Sequence, residues 1–390
     1  MNSRELPVYL DSQASGRIAP EVRDSIHAYW LAENGNPHSA HEHGRRAKQA
    51  ISEAVGTIAD FIGSLPKELT LVSGATAANN LAIQGVEHLV KEGRRKILVS
   101  AIEHPCVLET ATFMAKNRGF ELEVISVDTH GFVDFERLES ALNKEVALVS
   151  MMLGNNEIGT IQNLPKICEK AHEVGALVHT DATQAAGRIS IDVLDLDCDM
   201  LSISAHKFSG PIGVGALFVR DGISLQPLIH GGDQQPFASG TMSPELAVGF
   251  SKACELATED LGATSQQHLR NLIEQLESGL RKVGYSFKKN GPVDDRDRLP
   301  GTTSITFDNL NLSDLQTWIA PYVSFSSRSA CASESQHISH VLDAIGLSKQ
   351  EADNSARFSV SHRTTVKEVD TAVQFFTDYL KMMTARSVTA

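Results

Sequence analysis

The sequence predicts an α/β protein, with a large domain on a mostly parallel sheet joined to a smaller α+β domain. Three observations carry this expectation. The chain has 390 residues, more than a single ordinary core of roughly 100–200 residues accommodates. Its 42% hydrophobic and 21% charged content is that of a folded globular protein. Short apolar runs rich in β-branched residues alternate with longer helical patterns through most of the chain, as strands linked by crossover helices do.

In chain order, strands are expected at Leu69–Val72, Lys96–Ser100, Leu122–Val127, Ala147–Met152, Leu177–Thr180, Met200–Ser204 and Val214–Val219. Helical patterns at Ala77–Lys91, Leu108–Asn117, Asp134–Asn143 and Leu164–Val174 lie between several of them. After about Phe250 the texture changes. One long helical pattern, Ser251–Val283, leads to short strands at Tyr285–Phe287 and Gly301–Phe307. A serine-rich loop at Ser324–Ser335 follows, then a helix near His337–Ile345, a strand at Ala356–Val360 and a last amphipathic helix, Val366–Met382. The tail Thr384–Ala390 is expected to fray. The expected division is a large domain, 12–256, and a small one formed by 1–11 and 257–390, which carries a cysteine loop at 324–336.

Charge and cysteine usage narrow the function. With 35 Lys+Arg against 48 Asp+Glu the formal net charge is −13, and no basic block exceeds the short run Lys91–Lys96. Direct binding of a nucleic acid is therefore not expected. The first ten residues do not read as a signal peptide, and no stretch approaches the roughly 18 apolar residues that span a membrane, so no membrane partner is expected. The five cysteines, Cys106, Cys168, Cys198, Cys254 and Cys331, are scattered and form no C-x-x-C pair. That argues against a disulfide framework or a metal site and for a reducing, cytoplasmic setting. Most of these thiols are expected to be small buried hydrophobes.

Polar residues collect where the strands end, the place at which open α/β sheets bind ligands. The sharpest motif is Ser202-Ile-Ser-Ala-His-Lys-Phe-Ser-Gly-Pro-Ile-Gly213. A lysine held in a partly desolvated turn loses its proton more readily and forms a Schiff base with an aldehyde. Pyridoxal phosphate is the obvious aldehyde, because its enzymes pair such a lysine with an acid at the pyridine nitrogen. Asp181, one strand earlier in His179-Thr-Asp-Ala-Thr-Gln184, suits that acid, and Gln184 can donate to the phenolic oxygen. The strand-to-helix turn Ser73-Gly-Ala-Thr-Ala-Ala-Asn-Asn80 offers backbone amides, the Thr76 hydroxyl and a helix dipole to a phosphate, with no Walker spacing. Each motif alone also has a plainer reading. Lys207 could be a surface lysine after a strand, while Asp181 and Ser73 could simply cap helices.

Taken together the motifs resemble the cysteine desulfurases. Ser73-Gly-Ala-Thr76, Glu103-His104-Pro105, Asn155-Asn-Glu-Ile-Gly159, Asp181-Ala-Thr-Gln184, Ser204-Ala-His-Lys207 and Ser239-Gly-Thr241 fall in that family's order. Asn36-Pro37, Ser327-Arg-Ser-Ala-Cys331 and Arg357-Phe-Ser359 also match, so the resemblance covers essentially the whole chain. It implies the aminotransferase-like fold (fold type I) of pyridoxal 5'-phosphate enzymes and a homodimer with the active site at the subunit interface. It also implies Lys207 as the cofactor-binding lysine, His104 stacked on the ring and assisting proton transfer, and Asn155 and Gln184 at the phenolic oxygen. Asp181 would pair with the ring nitrogen. Ala75, Thr76, Ser204 and His206 would hold the phosphate, joined by Thr241 from the other subunit. Asn155 and Arg357 would bind the substrate, Arg357 through its carboxylate. Cys331 would take sulfur from L-cysteine as a persulfide, leave alanine, and pass the sulfur to an acceptor protein. The loop length resembles the long-cysteine-loop type.

Several positions depart from the family pattern: Arg328 where glycine is usual, Ala77 for a frequent glutamate, Ala238 for a frequent arginine, and Ser361-His362-Arg363 for Gly-Arg-Phe. They suggest a specialised branch. Supply of sulfur for iron–sulfur assembly remains the first expectation. A desulfurase dedicated to DNA phosphorothioation or tRNA thiolation, a selenocysteine lyase, and a non-enzymatic sulfur-transfer scaffold stand as alternatives.

Overall fold

The computed structural model describes residues 6–32, 34–308, 310–327 and 338–389. In chain order, β1 (Val8–Tyr9) precedes α1 (Pro20–Ala32) and α2 (Glu42–Ile62). Alternating elements follow: β2 (Leu69–Val72), α3 (Ala75–Gly85), β3 (Lys96–Ser100), α4 (Pro105–Asn117), β4 (Glu121–Ile125), α5 (Phe135–Ala141), β5 (Val146–Ser150) and α6 (Leu164–Glu173). Then come β6 (Leu177–Asp181), α7 (Val193–Leu196), β7 (Met200–Ser204), β8 (Gly215–Val219), α8 (Pro244–Asp260) and α9 (Ala263–Lys282). The chain closes with β9 (Phe287–Lys289), β10 (Thr302–Phe307), α10 (Leu312–Ile319), β11 (Val323–Ser324), α11 (His340–Ala344), α12 (Lys349–Asp353), β12 (Ser355–Ser359) and α13 (Val366–Thr389).

Strands β2 to β8 form one seven-stranded sheet in the order β2-β8-β7-β6-β5-β3-β4. All its pairings are parallel except those of β8, which runs antiparallel to both β2 and β7. The period-2 alternation of side chains supplies two cores from one strand: in β3, Leu98 joins the core that contains α2 and α8, while Ile97 and Val99 join the core under α3 and α4. This buried, two-sided sheet explains why its strands read as nearly continuous apolar runs. A second sheet, β12-β10-β9, carries a separate core of Leu10, Phe307, Phe358 and Phe376. The short β1 pairs in parallel with β11 and so ties the start of the chain to that second body.

Two details differ from the sequence reading. The pattern at 251–283 is two helices, α8 and α9, because Gly262 takes extended backbone (ψ 150°) at the N-cap of α9. The last helix also continues past Met382 to Thr389 rather than fraying at Thr384.

One close backbone approach sets the mouth of the site. Gly215, at the start of β8, is paired with both Val72 and Ser204. A Cβ there would lie 2.5 Å from the Ile203 carbonyl oxygen and 2.9 Å from Gly74 Cα. Neither neighbour is a flexible side-chain end, so Gly215→Ala is expected to cost about 1–3 kcal/mol of stability and to weaken cofactor retention. Thermal unfolding and dialysis of the holoprotein check both effects.

Candidate active site

The carboxyl ends of β2, β3, β6 and β7 converge on a cavity of about 360 Å³, within the range of small-cofactor sites. Of the residues predicted from sequence, Ala75, Thr76, His104, Asp181, Gln184, Ser204, His206 and Lys207 line it. Lys207 sits in a single 3-10 turn, Ala205–Phe208, directly after β7. Its Nζ donates to the carbonyl oxygens of Gln13 and Ala14, both at 2.9 Å. Those carbonyls belong to the N-terminal segment, and Gln184 Nε2 donates to the same Gln13 oxygen at 3.1 Å.

Asp181 ends β6 and is buried. Its Oδ2 accepts from Asn79 Nδ2 at 2.6 Å and its Oδ1 from the Thr183 backbone N–H at 2.9 Å. Neither bond occupies the carboxylate fully, since each oxygen has two lone pairs. The phosphate-like end is the start of α3. Its N-cap, Gly74, has φ +138° and no side-chain cap, a conformation that favours glycine and leaves first-turn N–H groups for an anion. Ser204 Oγ and His206 Nδ1 are 2.9 Å apart nearby. Burial, helped by the Lys207 charge, pushes His206 down to about 4, so it sits there as a neutral ring.

His104 is the N-cap of α4, and its Nδ1 accepts the Cys106 backbone N–H at 3.2 Å. Burial holds its pKa below the usual histidine value, Lys207 and His340 act in the same direction, and Asp181 opposes them. Behind it Glu103 is completely buried. Its Oε1 accepts from Ser100 Oγ and the Met152 N–H, and burial raises its pKa to about 8. Burial thus favours the protonated form of Glu103.

Other predicted residues lie around this cavity rather than in its lining. Asn155 builds the wall: its Oδ1 accepts the N–H groups of Glu157 and Ile158, and its Nδ2 donates to the Ile102 carbonyl. Its neighbour Asn156 lines the cavity instead. Thr241 lies in an adjoining cavity of about 380 Å³ that shares Ser73, Ala77 and Gly213 with the first. Arg357, on β12, donates to the Asn156 carbonyl at 2.8 Å and to Asp11 Oδ1 at 2.7 Å, which places it beside the cavity through Asn156. Burial raises Asp11 despite the opposing Arg357 charge. Cys331 and Arg328 lie outside the described residues. The segment on the near side begins from Ser326, bridged to Arg357, and on the far side Ser339 donates to Glu157 Oε2 at 2.6 Å.

The sequence reading missed Asp11, Gln13, Asn79, Asn156 and Cys106. Cys106 was grouped with the buried thiols, as Cys168, Cys198 and Cys254 indeed are, but it lines the cavity. Its adjacency to Glu103-His104-Pro105 was the available signal.

The donor set fits pyridoxal phosphate: a primary amine for the aldehyde, a buried carboxylate for the ring nitrogen, and an uncapped helix start beside a hydroxyl for the phosphate. Comparisons with known proteins agree. Residues 8–372 match the aminotransferase class-V family model. A mitochondrial cysteine desulfurase of Arabidopsis thaliana is 39% identical over 94% of this chain and 81% of its own. A NifS-like protein of known structure superimposes with a TM-score of 0.89 at 33% identity, covering 97% of this chain and 100% of its own. The structure described as SspA in complex with cysteine gives a TM-score of 0.79 at 34% identity, over 92% of this chain and 99% of its own. On the family-model match over residues 8–372 and the identity to that desulfurase, the chain belongs to the cysteine desulfurases of the aminotransferase class-V family, enzymes that depend on pyridoxal phosphate.

Proposed function

We propose that this cysteine desulfurase releases sulfur from L-cysteine in the Lys207 cavity, takes it up on Cys331 and hands it to an acceptor protein. The observation that carries the site assignment is the joint lining of one cavity by Lys207, Asp181, His104 and the Gly74–Thr76 turn. When bound, the cofactor supplies an electron sink that makes the substrate α-proton removable.

The protein's own groups do the rest. Lys207 would hold the cofactor through Nζ, and the same amine is placed to act as the base for the substrate α-proton. Asp181 keeps a proton on the ring nitrogen. Gln184 orients the phenolic oxygen, while Asn155 holds the turn that presents Asn156. Thr76, Ser204 and His206 bind the phosphate. Arg357 orients the L-cysteine carboxylate, a task for which its planar fork is suited. His104, neutral with Nδ1 accepting, would present its Nε2–H to the departing carbon skeleton and assist its protonation, with a replacement proton drawn from solvent. The Cys331 thiolate attacks the substrate sulfur. The new S–S bond would form as the C–S bond breaks, with its electron pair left on carbon; one proton delivered to that carbon and return of the α-proton from Lys207 Nζ would then give alanine.

In support of a homodimer, Ile229 (63% exposed) lines the cavity that holds Thr241 and Ile212 (75% exposed) lines the adjoining Lys207 cavity, exposed apolar side chains that a second copy would cover. Thr241 would then complete the phosphate site of the other subunit. Among the described residues no helix is long and apolar enough to cross a membrane. Iron–sulfur assembly is the proposed destination of the sulfur.

The test is stoichiometric. Purified protein with L-cysteine and a thiol reductant is expected to yield sulfide and alanine in equal amounts. Cys331→Ala is expected to lose sulfide release by at least about a hundred-fold while retaining the bound cofactor's visible absorbance. Sulfide release by Cys331→Ala at the wild-type rate would overturn the persulfide step.

A further inference from the structure

Cys106 is the one thiol in the cavity wall among the described residues, and three of the groups above meet at it. Sγ lies 3.0 Å from His104 Nδ1 and 3.3 Å from Asn79 Nδ2, and the Thr76 side chain hydrogen-bonds to it as well. Asn79 Nδ2 also donates to Asp181 Oδ2 at 2.6 Å, which fixes the amide's orientation, because a reversed amide would set two oxygens against each other. The amide's remaining N–H therefore points at sulfur. Burial, with Asp181 adding to it, pushes the Cys106 thiol up to about 12, so sulfur keeps its own proton. Two acceptors are in reach of that proton, the Thr76 hydroxyl oxygen and His104 Nδ1; the ring nitrogen, at 3.0 Å and already receiving the Cys106 backbone N–H at 3.2 Å, is the more basic of the two. A ring nitrogen that accepts carries no proton, and the neutral ring then bears it on Nε2.

We propose that Cys106 is a positioning residue: its thiol and its backbone N–H together hold His104 as the neutral Nε2–H tautomer and link that tautomer, through Asn79, to the Asp181 carboxylate. The inference rests on the reading of His104 as a proton-transfer group. Among the described residues, the charged and titratable groups acting on His104 include Asp181, Lys207 and His340, and Glu103 acts on Cys106. Of these, Asp181 favours the imidazolium, and Lys207 and His340 oppose it. Both donors at Nδ1 oppose it too, because an imidazolium would turn an N–H toward them. Deleting the thiol removes one of those donors. The His104 pKa must then rise, and the acidic limb of kcat/KM must move to higher pH.

Two readouts test this on the holoenzyme. In 15N-histidine-labelled protein, with the His104 signals identified by their loss in His104→Gln, the ring-nitrogen shifts are expected to report a protonated Nε2 in wild type. Cys106→Ala is expected to raise the His104 pKa by about half a unit or more, and the kcat/KM limb with it. Cys106→Ser, which keeps an O–H donor, is expected to restore wild-type behaviour. Cys106→Val deletes the donor at similar volume and serves if the alanine variant does not fold. Identical His104 titration in wild type and the donor-deleted variant, with only Tm changed, would make Cys106 a space-filler and overturn the proposal. A His104→Gln enzyme with unchanged kcat and pH profile would instead remove the proton-transfer role, and the tautomer measurement would still decide what Cys106 does.

Discussion

Lys207→Ala is expected to abolish turnover, by at least about a thousand-fold, while leaving the fold intact. Lys207 is the one primary amine among the residues lining the cavity, so no neighbour can replace it as the group that attaches to an aldehyde. Its ammonium is aimed by two backbone carbonyls, Gln13 and Ala14, and backbone acceptors remain in place when the side chain is removed. Lys207→Arg separates the two contributions of this residue. It keeps a positive charge and donors for the same carbonyls, yet a guanidinium does not form the required bond. Both variants are expected to be equally inactive, with Tm near wild type and without the visible band of the lysine-bound cofactor. Retention of more than about a tenth of the activity by Lys207→Arg would mean that Lys207 acts by charge alone.

Asp181→Asn carries the second large effect. The substitution preserves shape, but its one oxygen can accept from Asn79 Nδ2 or from the Thr183 N–H and not from both, so a loss of about 1–2 kcal/mol of stability is expected with the fold retained. What disappears is the negative charge that keeps a proton on the cofactor ring nitrogen. A fall in kcat of about a hundred- to a thousand-fold is expected with little change in KM, since this charge acts on the reaction and not on substrate affinity. A second sign follows. Asp181 raises the His104 pKa against burial, Lys207 and His340, so removing its charge lowers the folded-state value further. The acidic limb of the residual activity should move to lower pH, opposite to the shift expected for Cys106→Ala. A KM-only effect, or a limb moving upward, would contradict the assigned position of Asp181.

The strands and the cavity-lining motifs were legible because each is local. A β-branched run followed by Ser-Gly, Glu-His-Pro, Thr-Asp or Ser-Ala-His-Lys announces both the strand and what its end presents. The parallel sheet follows from the same alternation, and β8 is its single reversal. What was hidden depends on distant pairs. Asn79 serves Asp181 from 102 residues away, and nothing beside Asn79 in the sequence marks it as other than a helix residue. Asp11 meets Arg357 across 346 residues. The periodicity at 251–283 concealed a break because α8 and α9 are both amphipathic, and one extended residue at Gly262 suffices to redirect the chain. Asn155 illustrates a third kind of gap: the motif located the turn, but which of two adjacent amides faces the cavity is decided by backbone geometry.

The parallel pairing of β1 with β11 has a consequence for biosynthesis. Residues 8–14 leave the ribosome long before residues 322–359, yet Val8 and Leu10 donate to Tyr322 and Ser324, and Ser12 donates to Ser359. Until those late residues emerge, Gln13 and Ala14 are held from one side alone, where the Gly16 N–H donates to the His206 carbonyl and Gln184 donates to Gln13. Such long loop closures are slow to form, and the large sheet can assemble before them as its own unit. Full ordering of the segment that holds Lys207 is thereby tied to residues 322–359: a nascent polypeptide carries the cavity-lining motifs of the large sheet before the second anchor of that segment exists.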